Sequence, residues 1–527
     1  MSFGRLPRLG LVLGATLLAA CAAPEAPSFV PDPVERIPGS FPPPAVQPVY
    51  SPCDLPSELD GVQVPPVDLD DPESVFALGG LPLVDIRFPV GAWEQACVDA
   101  KFVADWMDAR RRGQDVQPID RPTVTVDAFI QGEAFYDVGF RFRGQSNLYA
   151  MFYDRWNRPV SGSLEACQTD RMPKKASYRV IFDAFGTDRT VAGQRAFNLG
   201  GREGSDSPYL REVAAQHVAR EFGLPAPLAG HARVCRDGIY DGLFTLGEEA
   251  DYRALVERVF PGESDGGYWE VVGPSSQTWE RDWTDTTGWQ TVYDGVRPTS
   301  DDDIGRLALL LDAGTAVEAG EDPQGLDELL DVDTWLRNIA LDMVIPDYDG
   351  MMGNHKNHTL YDHPTRGLLP IGYDKDLAFV DLGNYLYGLC SGSIWGANPC
   401  WSSRRSAPAV ARHLLDTRPD EYVARIEELL AGPLDPQTLI PWIEAQAEVI
   451  RPWVVAGRYY QPGGPACDLD PANCQYYTPA AWDYDVFLIG ANIEERRAEV
   501  TRQLEGTFVC EDSCIDPPYI WLADRIY

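Results

Sequence analysis

Val138-Gly139-Phe140-Arg141-Phe142-Arg143 alternates apolar and polar side chains, the two-residue period of a strand with one face in a core. The same texture recurs upstream in Val84-Asp85-Ile86-Arg87-Phe88 and in Thr123-Val124-Thr125-Val126-Asp127-Ala128-Phe129. Downstream it returns in Tyr178-Arg179-Val180-Ile181-Phe182. From Tyr209 to Phe222 the period changes. Leu210, Val213, Ala214, His217 and Val218 fall at helical spacing, and Gly223 supplies a stop. Ala232-Arg233-Val234 and the run from Tyr240 to Leu246 then read as a further hairpin. Beyond about residue 300 apolar residues recur three or four apart, over 304–311, 326–330, 332–345, 409–415, 421–430, 436–450 and 486–504. The expectation is an α+β chain, β-rich over 76–299 and mainly helical over 300–507, with a cleft between the halves as the natural place for a ligand.

The first residues read as an export signal. Arg5 and Arg8 precede an apolar run from Leu9 to Ala20, and Leu18-Ala19-Ala20-Cys21 places small residues before a cysteine. Residues 1–20 are therefore expected to be removed and Cys21 lipidated, which would hold the protein at the bacterial cell envelope, facing the periplasm or the cell surface, by acyl chains alone. Prolines recur from there to about residue 75, as in Phe41-Pro42-Pro43-Pro44, so this stretch reads as an extended tether. Apart from Cys21 there are ten cysteines, an even number suited to disulfides after export. Cys467/Cys474, Cys510/Cys514 and Cys390/Cys400 could close short loops, whereas Cys53, Cys97, Cys167 and Cys235 would have to pair over long distances. A zinc site is disfavoured because no CxxC pair occurs. Residues 508–527 form a cysteine-containing tail.

The 527 residues carry 44 Lys and Arg against 80 Asp and Glu, a formal net charge of −36. Nucleic acid and anionic lipid would be repelled, so neither is expected as a partner; a basic substrate, a bound cation or plain solubility fits better.

Between Asp347 and Asp376 polar residues crowd together: Asp347-Tyr348-Asp349-Gly350-Met351-Met352-Gly353-Asn354-His355-Lys356-Asn357-His358, then Gly372-Tyr373-Asp374-Lys375-Asp376. A short apolar strand, Leu368 to Ile371, lies between the two groups. Such an arrangement can bring hard oxygen ligands for magnesium or manganese to one hairpin and leave one carboxylate as a base, which is what phosphoryl transfer needs. The order Asp349, then Asn354 or Asn357, then Asp374 or Asp376 fits. Asp, Asn and Gly also populate ordinary turns, which is the competing explanation. His355 and His358 lack an obvious third nitrogen or sulfur ligand and read as surface or supporting groups.

Several segments in register, over roughly residues 80 to 505, resemble the spore coat protein CotH family of atypical protein kinases. They are Arg141-Phe142-Arg143-Gly144-Gln145-Ser146, Lys174-Lys175-Ala176-Ser177-Tyr178-Arg179-Val180, Phe197-Asn198-Leu199, Asp206-Ser207-Pro208-Tyr209-Leu210-Arg211-Glu212, Gly242 to Glu248, and the Asp-Asn-Asp cluster. The resemblance implies a bilobal kinase-like fold, ATP with Mg2+ or Mn2+ as cofactors, and transfer to Ser or Thr of an exported protein, basic or serine-rich. It implies that Lys175 meets nucleotide phosphates, that Glu212 is its partner, and that Glu248 lies at the junction between lobes. Asp349 would be catalytic, with Asn357 or Asn354 and Asp374 or Asp376 holding metal. No G-x-G-x-x-G loop is present, so phosphate cradling would fall to Arg143 and its neighbours. Two other functions remain open: a surface scaffold that keeps the fold without turnover, and a metal-dependent phosphoesterase.

Overall fold

A computed structural model describes residues 51–507 apart from 115, 117–118, 145, 155–156, 173, 202–205, 207, 251–252, 272–276, 278–292, 296–304, 348, 354, 381–406 and 462–477. The signal segment, Cys21, most of the tether, Asn354 and the tail lie outside the described residues. So do Cys390, Cys400, Cys467, Cys474, Cys510 and Cys514.

Seven strands close into a barrel: β1 (Leu83–Arg87), β2 (Val124–Ile130), β3 (Glu133–Phe142), β4 (Tyr178–Ile181), β5 (Ala196–Gly200), β6 (Ala229–Arg236) and β7 (Ile239–Gly247). They run in the order β1-β2-β3-β4-β5-β7-β6, and a parallel β1–β6 pairing completes the ring. Alternation explains the closure. Val84, Ile86, Val126, Ala128, Val138, Phe140, Val180, Phe197, Leu199, Val234, Phe244 and Leu246 come from successive strands into one buried cluster, while the residues between them face outward.

The helix Ala92–Arg111 adds Ala96, Ala100, Val103, Ala104 and Met107 to that same cluster, and the Cys97–Cys167 disulfide ties it down. A second disulfide joins Cys53 to Cys235 on β6. The cysteines expected to pair at long range thus pair with one another.

A second, four-stranded sheet has the order β11-β10-β8-β9, from β8 (Tyr268–Val271), β9 (Tyr293–Gly295), β10 (His358–His363) and β11 (Gly367–Gly372). The segment beyond residue 300 is therefore not purely helical: its hairpin β10–β11 joins a strand from the first half. The helices Gly305–Ala319, Val332–Val344, Ala409–Thr417, Pro419–Ala431, Pro436–Val455 and Pro479–Leu504 pack on one another, with Val332–Val344 against β11 and Pro436–Val455 against β7 of the barrel. Trp335, Leu336, Ile339 and Ala340 bury the inner face of Val332–Val344. Its last carbonyls accept from Arg496, whose Nη2 lies 2.6 Å from Met343 O. No described helix is long and apolar enough to cross a membrane.

Between barrel and second sheet runs the helix Arg211–Glu221, with Val213, Ala214, Ala215, Val218 and Ala219 buried. Leu210 offers no side-chain cap, so Asp206 supplies one: Oδ1 accepts from the N–H groups of Leu210 and Arg211 at 2.9 Å each.

Candidate active site

Strands β10 and β11 pair with His358 opposite Gly372, so their open ends deliver the segments before 358 and after 372 to the same place. The Asn357 carbonyl accepts from Tyr373 N at 3.0 Å, extending the ladder by one rung. From the other side of Asn357, Nδ2 donates to Asp349 Oδ2 at 3.2 Å. Lys356 Nζ lies 2.8 Å from that oxygen.

Asp374 follows Tyr373, and its Oδ1 stands 3.6 Å from Arg143 Nη2 at the end of β3. Barrel rim and hairpin mouth thereby meet. His355, Asn357 and Asp374 all adopt left-handed φ values of 59°, 56° and 54°. Such backbone disfavours side chains other than Gly, Asn and Asp and clusters where function holds it in place.

Lys375, between the two candidate metal aspartates, points the other way. Its Nζ lies 2.7 Å from Asp342 Oδ1 and 2.9 Å from Asp347 Oδ2, and all three side chains are buried. Burial disfavours the charged lysine, but the two carboxylates prevail and raise its proton affinity above the ordinary lysine value. Asp347 is shifted up by burial, with Lys375 opposing. Gly350 has no room for a side chain, since a Cβ would lie 2.5 Å from Asp347 Oδ2. The triad is a buried clamp joining the Val332–Val344 helix, the start of the 347–357 loop and the residue beside Asp374.

Glu212 stands at the start of its helix within electrostatic reach of Asp374. Burial first, and then the Asp374 carboxylate, push its pKa up to about 8, while the hydrogen bond from Gln216 pulls it down. Its Oε2 is buried without a hydrogen-bond partner among the described residues.

Lys175 does not meet Glu212. Its Nζ donates to Leu243 O, lies 3.4 Å from Tyr209 OH, and sits 3.7 Å from the centre of the Phe244 ring. Burial lowers its pKa to about 7, with Asp241 opposing. Only 3 % of Lys175 is exposed, so neither a solvated strand edge nor an open phosphate site describes its surroundings. Glu248 is likewise enclosed, accepting from Leu228 N at 2.8 Å and from Arg258 Nη2 at 2.6 Å. Asp376 is half-buried in the turn after Lys375. His355 and His358 are both buried rather than exposed, and burial drops the His358 pKa to about 4.

A family model described as CotH kinase protein matches residues 140–464. The chain belongs to the CotH kinase family. That match spans Arg143, Lys175, Glu212, Asp349 and Asp374, so in this CotH-family protein the hairpin mouth is the candidate site of the family's kinase-like chemistry. No curated protein matches the chain.

Among the described residues no group of three or more His, Cys, Asp or Glu side chains is arranged to hold a metal ion. Magnesium needs less: one or two carboxylates suffice when water and substrate phosphates fill the other positions. Asp374 and the Asn357 amide are hard oxygen donors brought to one hairpin mouth, and the unpartnered Glu212 Oε2 is a third such atom near Asp374. The residues present fit that chemistry. Lys356, Asp342 and Lys375 escaped recognition as functional groups in the sequence, although all three lie in or just before the polar cluster.

Proposed function

We propose that this CotH-family protein is an ATP- and divalent-metal-dependent kinase that phosphorylates Ser or Thr on exported proteins. In this reading it is held at the bacterial envelope by a lipid on Cys21, and barrel and helical half act as the two lobes of a kinase-like body. The observation that carries the reading is the hydrogen bond from Asn357 to Asp349, beside a hairpin mouth that also presents Asp374.

Asp349 orients the acceptor hydroxyl and takes its proton as the oxygen bonds to the γ-phosphorus and the bond to the departing ADP oxygen breaks. Lys356, ion-paired to Asp349, holds that carboxylate in place. A divalent ion held by Asp374 and Asn357 would neutralise charge on the phosphates. Arg143, beside Asp374, faces the same phosphates. A net charge of −36 favours a basic acceptor protein.

The enclosure of Lys175 favours a second reading, a surface scaffold that has kept the fold without turnover. Transfer from labelled ATP to a basic protein in manganese tests the first: Asp349→Asn should cut it by about 100-fold or more. Equal transfer by the variant overturns the assignment.

A further inference from the structure

Four arginines stand on, or just beyond the ends of, three adjacent strands. Arg141 is the cross-strand partner of Arg179 in the β3–β4 ladder. Arg143 lies two residues further along β3's path and continues that ladder, its N–H donating to Ser177 O at 2.8 Å, so it shares the face of Arg141. On the other side β2 pairs with β3 so that Val124 opposes Phe140 and Thr125 opposes Gly139. Arg121 lies three residues before Val124, lines one small cavity with Arg141, and stands within electrostatic reach of Arg143 and Arg179. The intervening Phe140, Phe142, Tyr178 and Val180 belong to the barrel core, so the arginines are on its outer face.

Like charges on neighbouring strands repel, and a chain this acidic could easily neutralise each of them. Arg121 is the exception. Arg179 pairs with the enclosed Glu249, and Arg143 reaches Asp374. Glu270, whose carboxylate accepts from Tyr373 OH at 2.8 Å, acts on Arg121 from a distance, and Asp99 lines the same small cavity as Arg121 and Arg141. Yet the Arg121 guanidinium makes no hydrogen bond or ion pair with any described residue. Burial first, and then the guanidinium groups of Arg179 and Arg143, lower its proton affinity, which marks the crowding of positive charge there. Guanidinium forks match phosphate oxygens two at a time.

We infer that Arg121, Arg143 and Arg179 form an anion seat for a polyphosphate chain, next to the Asp374 carboxylate. Identification of that chain as the phosphates of ATP rests on the kinase reading; the seat itself does not. It replaces the buried lysine as the source of positive charge, and it explains how phosphates can be held without a glycine-rich loop.

Calorimetric titration of the purified protein with tripolyphosphate, and separately with ATP and manganese, tests this. Wild-type protein should bind both, and Arg121→Gln should weaken both by roughly 10- to 100-fold, the effect of losing one charge-assisted contact. Arg121→Lys should recover part of the loss. Because Arg121 makes no ion pair with a described side chain, the thermal midpoint of Arg121→Gln should stay at the wild-type value, which separates lost binding from lost folding. If tripolyphosphate binds in an Arg121-dependent way but ATP does not bind, the seat stands and the kinase reading falls. If ATP binds equally well to wild type and Arg121→Gln, the seat is wrong and the kinase reading survives. If neither ligand binds the wild type, both are wrong.

Discussion

Asn357 donates its amide to the same Asp349 oxygen that Lys356 approaches at 2.8 Å. The loop therefore holds one carboxylate between an amide eight residues further on and an ammonium group seven residues further on. Such preorganisation makes a side chain useful in catalysis, because no reorganisation is left for the moment of reaction. The Asn357 carbonyl is meanwhile bound by Tyr373 N, so any shift of the 373–376 turn is felt at Asp349.

The clamp behind that loop should dominate local stability. Lys375→Met removes the ammonium group that lies between Asp342 and Asp347 and leaves two buried carboxylates facing each other. Breaking a buried ion pair from one side costs about 3–5 kcal/mol. Urea unfolding of Lys375→Met should show a loss of that size. A loss below about 1 kcal/mol would show the clamp to be dispensable.

Glu212 should give stability a pH dependence. Its folded pKa is raised from the ordinary 4.5 to about 8, so the folded protein holds a proton there that the unfolded chain has released. That contribution is fully present below about pH 4.5 and is lost as pH rises through about 8. Glu212→Gln cannot ionise, so its thermal midpoint should fall less between pH 6 and pH 9 than that of the wild type. Parallel curves for the two proteins would contradict the assignment.

The Cys97–Cys167 bridge closes a sequence separation of 70 residues and joins the Ala92–Arg111 helix to the short helix Ser163–Gln168. Replacing both cysteines by serine should cost about 2–5 kcal/mol. Thermal unfolding with and without reductant checks it: reductant should lower the wild-type midpoint and leave the variant's midpoint less affected, since only Cys53–Cys235 remains among the described bridges.

Strands β1 to β4 were legible because their buried residues alternate and are large: Val84 and Ile86, Val124 and Val126, Phe140 and Phe142, Tyr178 and Val180. The helices Arg211–Glu221 and Val332–Val344 declared themselves by the same contrast at a longer period. Ala92–Arg111 did not, since most of its buried side chains are alanine, too small to stand out against its polar face. The second sheet was only half visible, because β10 carries His358, Thr359, Asp362 and His363 among its apolar residues. At the site, the nearness of Asn357 to Asp349 and to Tyr373 could be read because a tight hairpin keeps sequence neighbours together in space. The surroundings of Lys175 could not. They are set by Leu243 and Phe244 on β7, nearly 70 residues away, and by a strand register that no local pattern announces. The same holds for the arginine face, assembled from positions 121, 143 and 179.

The most direct test of the account is manganese binding, read by electron paramagnetic resonance, in the presence of a non-hydrolysable ATP analogue. If Asp374 and the Asn357 loop grip the ion together, wild-type protein should bind it, and Asp374→Asn should weaken binding by about 10-fold or more. Equal binding by wild type and variant, or no binding by either, would contradict a metal-dependent phosphotransfer site at this hairpin.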